Sequence, residues 1–193
     1  MALYDITKER FDKVIDLYFM WKKLNSMIKE DYSRGINLPE AITEPICCYA
    51  NNFQLSIPTT EEARRKKKAD KDEQSGSEDA INPDTGALIQ IKATSNWDSD
   101  LTSFGPKSHF DELHFVRLNQ EEDKMYLYNI PIDNLKSVKV NKTTTFEECQ
   151  ASGKRPRFSI IDKYINIYDL HPYGYVDLSE KEVYTYKKEV ITV

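Results

Sequence analysis

The stretch SEDAINPDTGALIQIKAT, residues 77–94, holds two apolar runs separated by Asn82-Pro83-Asp84-Thr85-Gly86. Proline presets φ, aspartate accepts a local hydrogen bond and glycine tolerates positive φ, so this is strong turn chemistry. It predicts a β-hairpin with Asp79–Ile81 as one strand and Ala87–Ala93 as its return. Side chains alternate along a strand, so Gln90 and Lys92 share one face while Ile89 and Ile91 take the other. The turn folds Asp79 back beside them. A carboxylate, an amide oxygen and an ammonium then converge on one small volume, which is costly among apolar neighbours unless the groups are used.

Outward from the hairpin, His114–Leu118 and Lys124–Asn129 read as further strands joined by the polar turn Asn119–Asp123. Upstream, residues 5–32 carry Phe11, Val14, Ile15, Tyr18, Trp21 and Ile28 at helical spacing. Leu17, Met20 and Leu24 widen that apolar face. Such a helix either packs on its own core or is buried on two sides, the second against another subunit. Ser33-Arg34-Gly35 ends it. Pro39 opens a second helical stretch, where a first-turn proline loses nothing, and Pro45 is expected to bend or restart it just after Glu44. Residues 59–78 have almost nothing apolar to bury and read as a charged helix or loop. Their basic run Arg64 to Lys68 either touches phosphates or is simply solvated. Thr144 and Thr145 each stand three residues before a glutamate, the pattern of a capping box, and predict a short helix. A helical or mixed segment is expected over Phe158–Leu170, broken by Pro172 and Gly174, with a terminal strand over Val183–Val193. The sum is an α/β fold: a central mixed β-sheet flanked by helices, with an N-terminal helical arm. We expect one domain over 1–193, divided into a helical part (1–58), a charged loop (59–78), a sheet core (79–130) and a C-terminal part (131–193).

The chain of 193 residues is 39% hydrophobic and 31% charged, with no apolar run long enough to span a membrane. Its beginning lacks a basic stretch followed by an apolar one, and the three cysteines make a poor disulfide framework, so a reduced, cytoplasmic protein is expected. The histidines and cysteines follow no zinc-site spacing, and Cys47 and Cys48 read as small buried residues. The net charge is −5, but the charges segregate: Lys136 to Arg157 holds six basic residues against two acidic ones. A polyanion responds to that local field rather than to the net charge.

Asp79 suits a hard divalent cation, with the Gln90 side-chain oxygen and the Ile91 backbone carbonyl completing the protein's share of its shell. All-oxygen ligands favour Mg2+, and the chemistry is phosphodiester hydrolysis. Lys92 orients the attacking water or stabilises the transition state. Glu44 is a further candidate ligand, with Glu40 on the same face of an unbroken helix; a plain surface carboxylate is the other reading of Glu44. Asp84 is the alternative to Asp79, but an aspartate at a turn tip is usually a turn former.

This Asp…Gln-x-Lys hairpin resembles the PD-(D/E)xK nuclease superfamily, whose best-known members are type II restriction enzymes. LPEAITEPICCYANNF, the hairpin and ASGKRPRFSI together resemble one small family of these enzymes, which cuts GC-N-GC sites. The resemblance implies a restriction-endonuclease-like core, a Mg2+-dependent homodimer and double-stranded DNA cut at a short palindrome. Two departures stand out. Gln90 replaces the second acid, which keeps a ligand oxygen but removes a charge. The literal Pro-Asp pair, Pro83-Asp84, lies in the turn. A repair or junction-resolving nuclease on the same core, and a non-enzymatic DNA-binding protein, remain open alternatives.

DNA contacts are expected from Gln150, Lys154, Arg155 and Arg157, a loop shaped by Gly153 and Pro156. Arginine can bond guanine in a bidentate manner, which suits a G·C-rich target, although phosphate anchoring is the commoner use. The polar loop Ser95–Lys107 follows Lys92 directly, and Asn96 and Lys107 are its candidate contacts.

Overall fold

A computed structural model describes residues 2–58 and 78–186. In chain order its elements are β1 (Ala2–Tyr4), α1 (Lys8–Tyr32), α2 (Glu40–Asn51), β2 (Gln54–Ile57), β3 (Ala80–Ile81) and β4 (Leu88–Thr94). There follow β5 (Thr102–Ser103), β6 (Glu112–Asn119), β7 (Lys124–Ile130), α3 (Phe146–Ala151), β8 (Arg157–Phe158), β9 (Gly174–Asp177) and β10 (Glu182–Thr185). An eight-stranded sheet runs β1-β2-β3-β4-β6-β7-β9-β10, and β5 pairs with β8 in a separate ribbon. The sheet is mixed: β4 and β6 are parallel, whereas the remaining neighbours are antiparallel.

Each face of the sheet has its own apolar core. On one face α1 and α2 pack Phe11, Ile15, Tyr18, Ile46 and Cys47 against Ile89, Ile91, Val116 and Leu118. On the other, Leu113, Phe115, Tyr128 and Ile130 meet Phe104, Phe146, Phe158 and Tyr164. Thr7 caps α1 by accepting from the Arg10 N–H, and the helix ends at Ser33 in the left-handed region, where the sequence predicts its stop. Tyr18 donates to Asp123 (2.7 Å) and Lys22 pairs with the same carboxylate (2.6 Å), so α1 is pinned to the β6–β7 turn.

The fold departs from the sequence-based expectation in several places. Pro45 does not restart α2, which continues as one helix through it. The carbonyl that loses its partner belongs to Ala41, which is exposed and open to water. The helical segment ends before Pro172, as expected, and Gly174 then opens β9, where the Tyr184 backbone packs so closely that a Cβ would collide with its oxygen. The terminal strand is short, Glu182–Thr185, and residues 187–193 lie outside the described part. The expected charged loop lies outside it too, apart from Glu78. The capping box at Thr145 is present, with Glu148 reciprocating to the Thr145 N–H.

Candidate active site

The hairpin forms with Ala80 opposite Ile89 and Ile81 opposite Leu88. Asp79 stands just before β3, its carbonyl accepting from Ser56 and its N–H donating to Ile89, both at 2.9 Å. The backbone of Asp79 is thereby locked between β2 and β4. Its side chain accepts from the Ile91 N–H (2.7 Å) and from the Gln90 amide, both on Oδ2. Since Gln90 gives Asp79 its amide N–H, its amide oxygen is left for another partner. A residue's N–H and C=O point to the same side of a strand, so the Ile91 carbonyl also faces the Asp79 side, where β3 is short.

Electrostatic coupling draws in α2. Burial pushes Glu44 up to about 8, and the charges of Asp79 and then Glu40 add to the rise, while Lys92 opposes it. Asp79 is pushed up to about 6 by burial, against the pull of Lys92 and of its bonds to Ile91 and Gln90. The charges of Glu40, Glu44, Asp79 and Lys92 therefore act on one another as one electrostatic cluster spread over α2 and the hairpin. Asp84 sits apart at the exposed turn, its N–H donating to Asn82 at 3.0 Å.

Among the described residues, no group of three His, Cys, Asp or Glu side chains is arranged to hold a metal by itself. The donors present are all hard oxygens: the Asp79 and Glu44 carboxylates, the Gln90 amide oxygen and the Ile91 carbonyl. Such a set fits a magnesium-like cation whose remaining positions go to water and phosphate. The mutual repulsion of these carboxylates is what a cation there would relieve.

Beside the cluster runs a groove of about 720 Å3. Lys92, Glu40, Thr43, Asn96, Asp100 and Arg157 are on its walls, so the hairpin and the C-terminal basic segment meet there. Arg157 lies on β8 opposite Ser103. Lys154 and Arg155 are exposed on the turn after α3, outside the lining of the groove. Gln150 donates to the Gly105 carbonyl (3.0 Å) and so braces the loop that carries exposed Lys107. Asn96 accepts from the Asp98 N–H (3.0 Å) and donates to Ser99 (2.9 Å). Sequence reasoning missed Thr43 and Asp100. Thr43 lies one residue before Glu44 on α2, and Asp100 is an acid in the polar loop that follows Lys92.

Mixed sheet, flanking helices and a hairpin presenting Asp79, Gln90 and Lys92 make this an α/β protein with a restriction-endonuclease-like core. A family model for the Bsp6I restriction endonuclease matches residues 6–167. The type II restriction enzyme Bsp6I of Bacillus sp. (strain RFL6) is 45% identical over 188 residues, covering 95% of this chain and 98% of that enzyme. No solved structure matches. The chain belongs to the Bsp6I restriction endonuclease family, and its activity is that of a type II restriction endonuclease acting on DNA.

Proposed function

We propose that the protein cleaves both strands of DNA at the short palindrome GC-N-GC, with Mg2+, from the centre formed by Asp79, Gln90, Lys92 and Glu44. The observation that carries this reading is the hairpin in which Asp79 accepts from Gln90 and from the Ile91 N–H while Lys92 lines the adjoining groove. Asp79, Glu44, the Gln90 oxygen and the Ile91 carbonyl would hold the ion. When bound, it supplies Lewis acidity at the phosphate and acidifies nearby water. Lys92 holds the scissile phosphate in the groove and opposes the negative charge that grows on it. Arg157 approaches the DNA from the facing wall and reads guanine, while Lys154, Arg155, Asn96 and Lys107 anchor the backbone. GC-N-GC is the target implied by the family resemblance, and it suits an arginine reader.

A two-fold symmetric site suits a homodimer, each subunit cutting one strand. Supporting this, α1 carries Leu17 (43% exposed), Met20 (67%), Leu24 (49%) and Met27 (55%) along one stripe, opposite its buried face. Among the described residues no helix is long and apolar enough to cross a membrane; the kinship with a bacterial restriction enzyme is what points to the cytoplasm. The test is digestion of unmethylated DNA of known sequence with Mg2+ or with EDTA. Discrete fragments whose ends map to GC-N-GC, lost in EDTA, are expected. Ends that map elsewhere, or a need for branched or damaged DNA, would overturn the reading.

A further inference from the structure

Asp100 has no place in the chemistry described so far, yet it makes the densest set of long-range bonds at the groove. Its Oδ1 accepts from the Ser159 hydroxyl (2.8 Å) and the Ile161 N–H (3.0 Å). Its Oδ2 accepts from the Thr102 hydroxyl (2.7 Å) and the Ile160 N–H (2.9 Å). Three of these partners lie 59 to 61 residues further along the chain. Ile160 and Ile161 begin a helical turn, and a helix start leaves its first N–H groups without intrahelical partners. Asp100 supplies those partners from another element, with a charge-assisted set of acceptors.

The carboxylate sits between the two walls of the groove. Towards Lys92, the intervening loop is held by its own bonds: Thr94 donates to the carbonyls of Asn96 (3.2 Å) and Ser99 (3.1 Å), and Gln120 donates to the Ser95 carbonyl (2.6 Å). Towards Arg157, β5 pairs with β8, and the Phe104 N–H donates to the Pro156 carbonyl at 3.0 Å. Short stretches of chain and these hydrogen bonds together connect Lys92, through Thr94 and Ser99, to Asp100 and on to the β5–β8 ribbon that carries Arg157. Apart from Gln120, these partners are backbone groups or short side chains, with few rotamers to absorb a displacement.

We propose that Asp100 is a positioning residue that fixes the Arg157 segment relative to Lys92, so that a correctly read base sequence sets the phosphate in register for cleavage. This rests on the reading of the groove as the DNA site. Removing the clamp lets the two walls move independently, and discrimination between the correct site and near-misses falls. A residue acting only through overall stability lowers cutting of all sites in the same proportion.

The substitution D100N keeps the shape but replaces one acceptor oxygen with an NH2 that faces donors. Cleavage rates are compared on duplexes carrying the GC-N-GC site or a single mismatch to it, for wild type, D100N, T102A and K92A. Thermal midpoints and affinity for unrelated DNA are read alongside. The ratio of correct to mismatched cleavage is expected to fall at least tenfold in D100N and less in T102A, with binding to unrelated DNA within about twofold of wild type. A wild-type ratio in D100N, whatever its absolute rate, overturns the proposal. Should D100N not fold, the same ratio measured in T102A decides: a fall supports the clamp and a wild-type ratio overturns it. K92A separates this failure from that of the underlying reading: if K92A cuts like wild type, the groove is not the cleavage site.

Discussion

Gln90 stands where the family resemblance leads one to expect an acid, and in the structure its amide also donates to Asp79. A carboxylate there would add a fourth acid to Glu40, Glu44 and Asp79. The cluster already strains against burial, as the raised Glu44 and Asp79 carboxyls indicate. E44Q, which removes one of these charges, should raise the thermal midpoint at pH 9 without metal by about 4 °C, since about 1 kcal/mol moves a chain of this size by roughly 2–4 °C. The same substitution should lower cleavage at limiting Mg2+. A melt no higher than wild type would show that Glu44 bears no unfavourable charge. His114 offers the pH test. It is buried between Tyr173 (3.1 Å) and Glu112 (3.2 Å), and burial holds it below its ordinary value despite the Glu112 contact. The unfolded chain therefore binds a proton that the folded one resists, so this group's contribution is complete above about pH 6.5 and is lost as pH falls below that. Urea melts at pH 5 and pH 7 should show a smaller stability difference in H114Q than in wild type.

At the scale of elements, the hairpin was legible because turn residues, alternation and polar outliers coincide within one short stretch. Strands β6 and β7 were legible for the same reason. What the sequence concealed depended on tertiary partners. The strands β1 and β2 are three and four residues long and gain their pairing from each other and from β3. The ribbon of β5 and β8 has only two residues on each side, joined across a gap of more than fifty positions, so no local pattern announces it. Pro45 signals a break that α2 does not show, because the freed carbonyl lies at an exposed residue. Of the site, Asp79, Gln90 and Lys92 could be placed together from the hairpin alone. That Glu44 couples to them could not, because it follows from how α2 packs on the sheet. Two substitutions test the elements. I89A empties a fully buried position in β4 and should cost about 2–5 kcal/mol in a denaturant melt. T145A removes one half of the capping box of α3 and should cost about 1 kcal/mol. A neutral result in the first would mean that Ile89 is not part of a packed core.

For the whole molecule, a net charge of −5 and a DNA substrate are compatible because Lys92 and Arg157 line the groove and Lys154 and Arg155 stand exposed on the turn beyond α3. Binding should therefore be strongly salt-dependent, with affinity falling roughly 10²–10³-fold between 50 and 200 mM salt if about five phosphates are neutralised. A flat salt response would argue that the basic segment does not meet the duplex. The molecule then divides its labour across the sheet: α1 and α2 stiffen one face, the β5–β8 ribbon and α3 build the other, and the hairpin edge holds the proposed reacting groups between them. Cleavage and binding measured together in D79A and K92A, on a duplex with one GC-N-GC site and Mg2+, bear most directly on whether that edge is the reacting centre. Both variants are expected to bind the duplex within about threefold of wild type and to cut neither strand. Full cleavage by both variants would contradict the assignment of Asp79 and Lys92 to the active site.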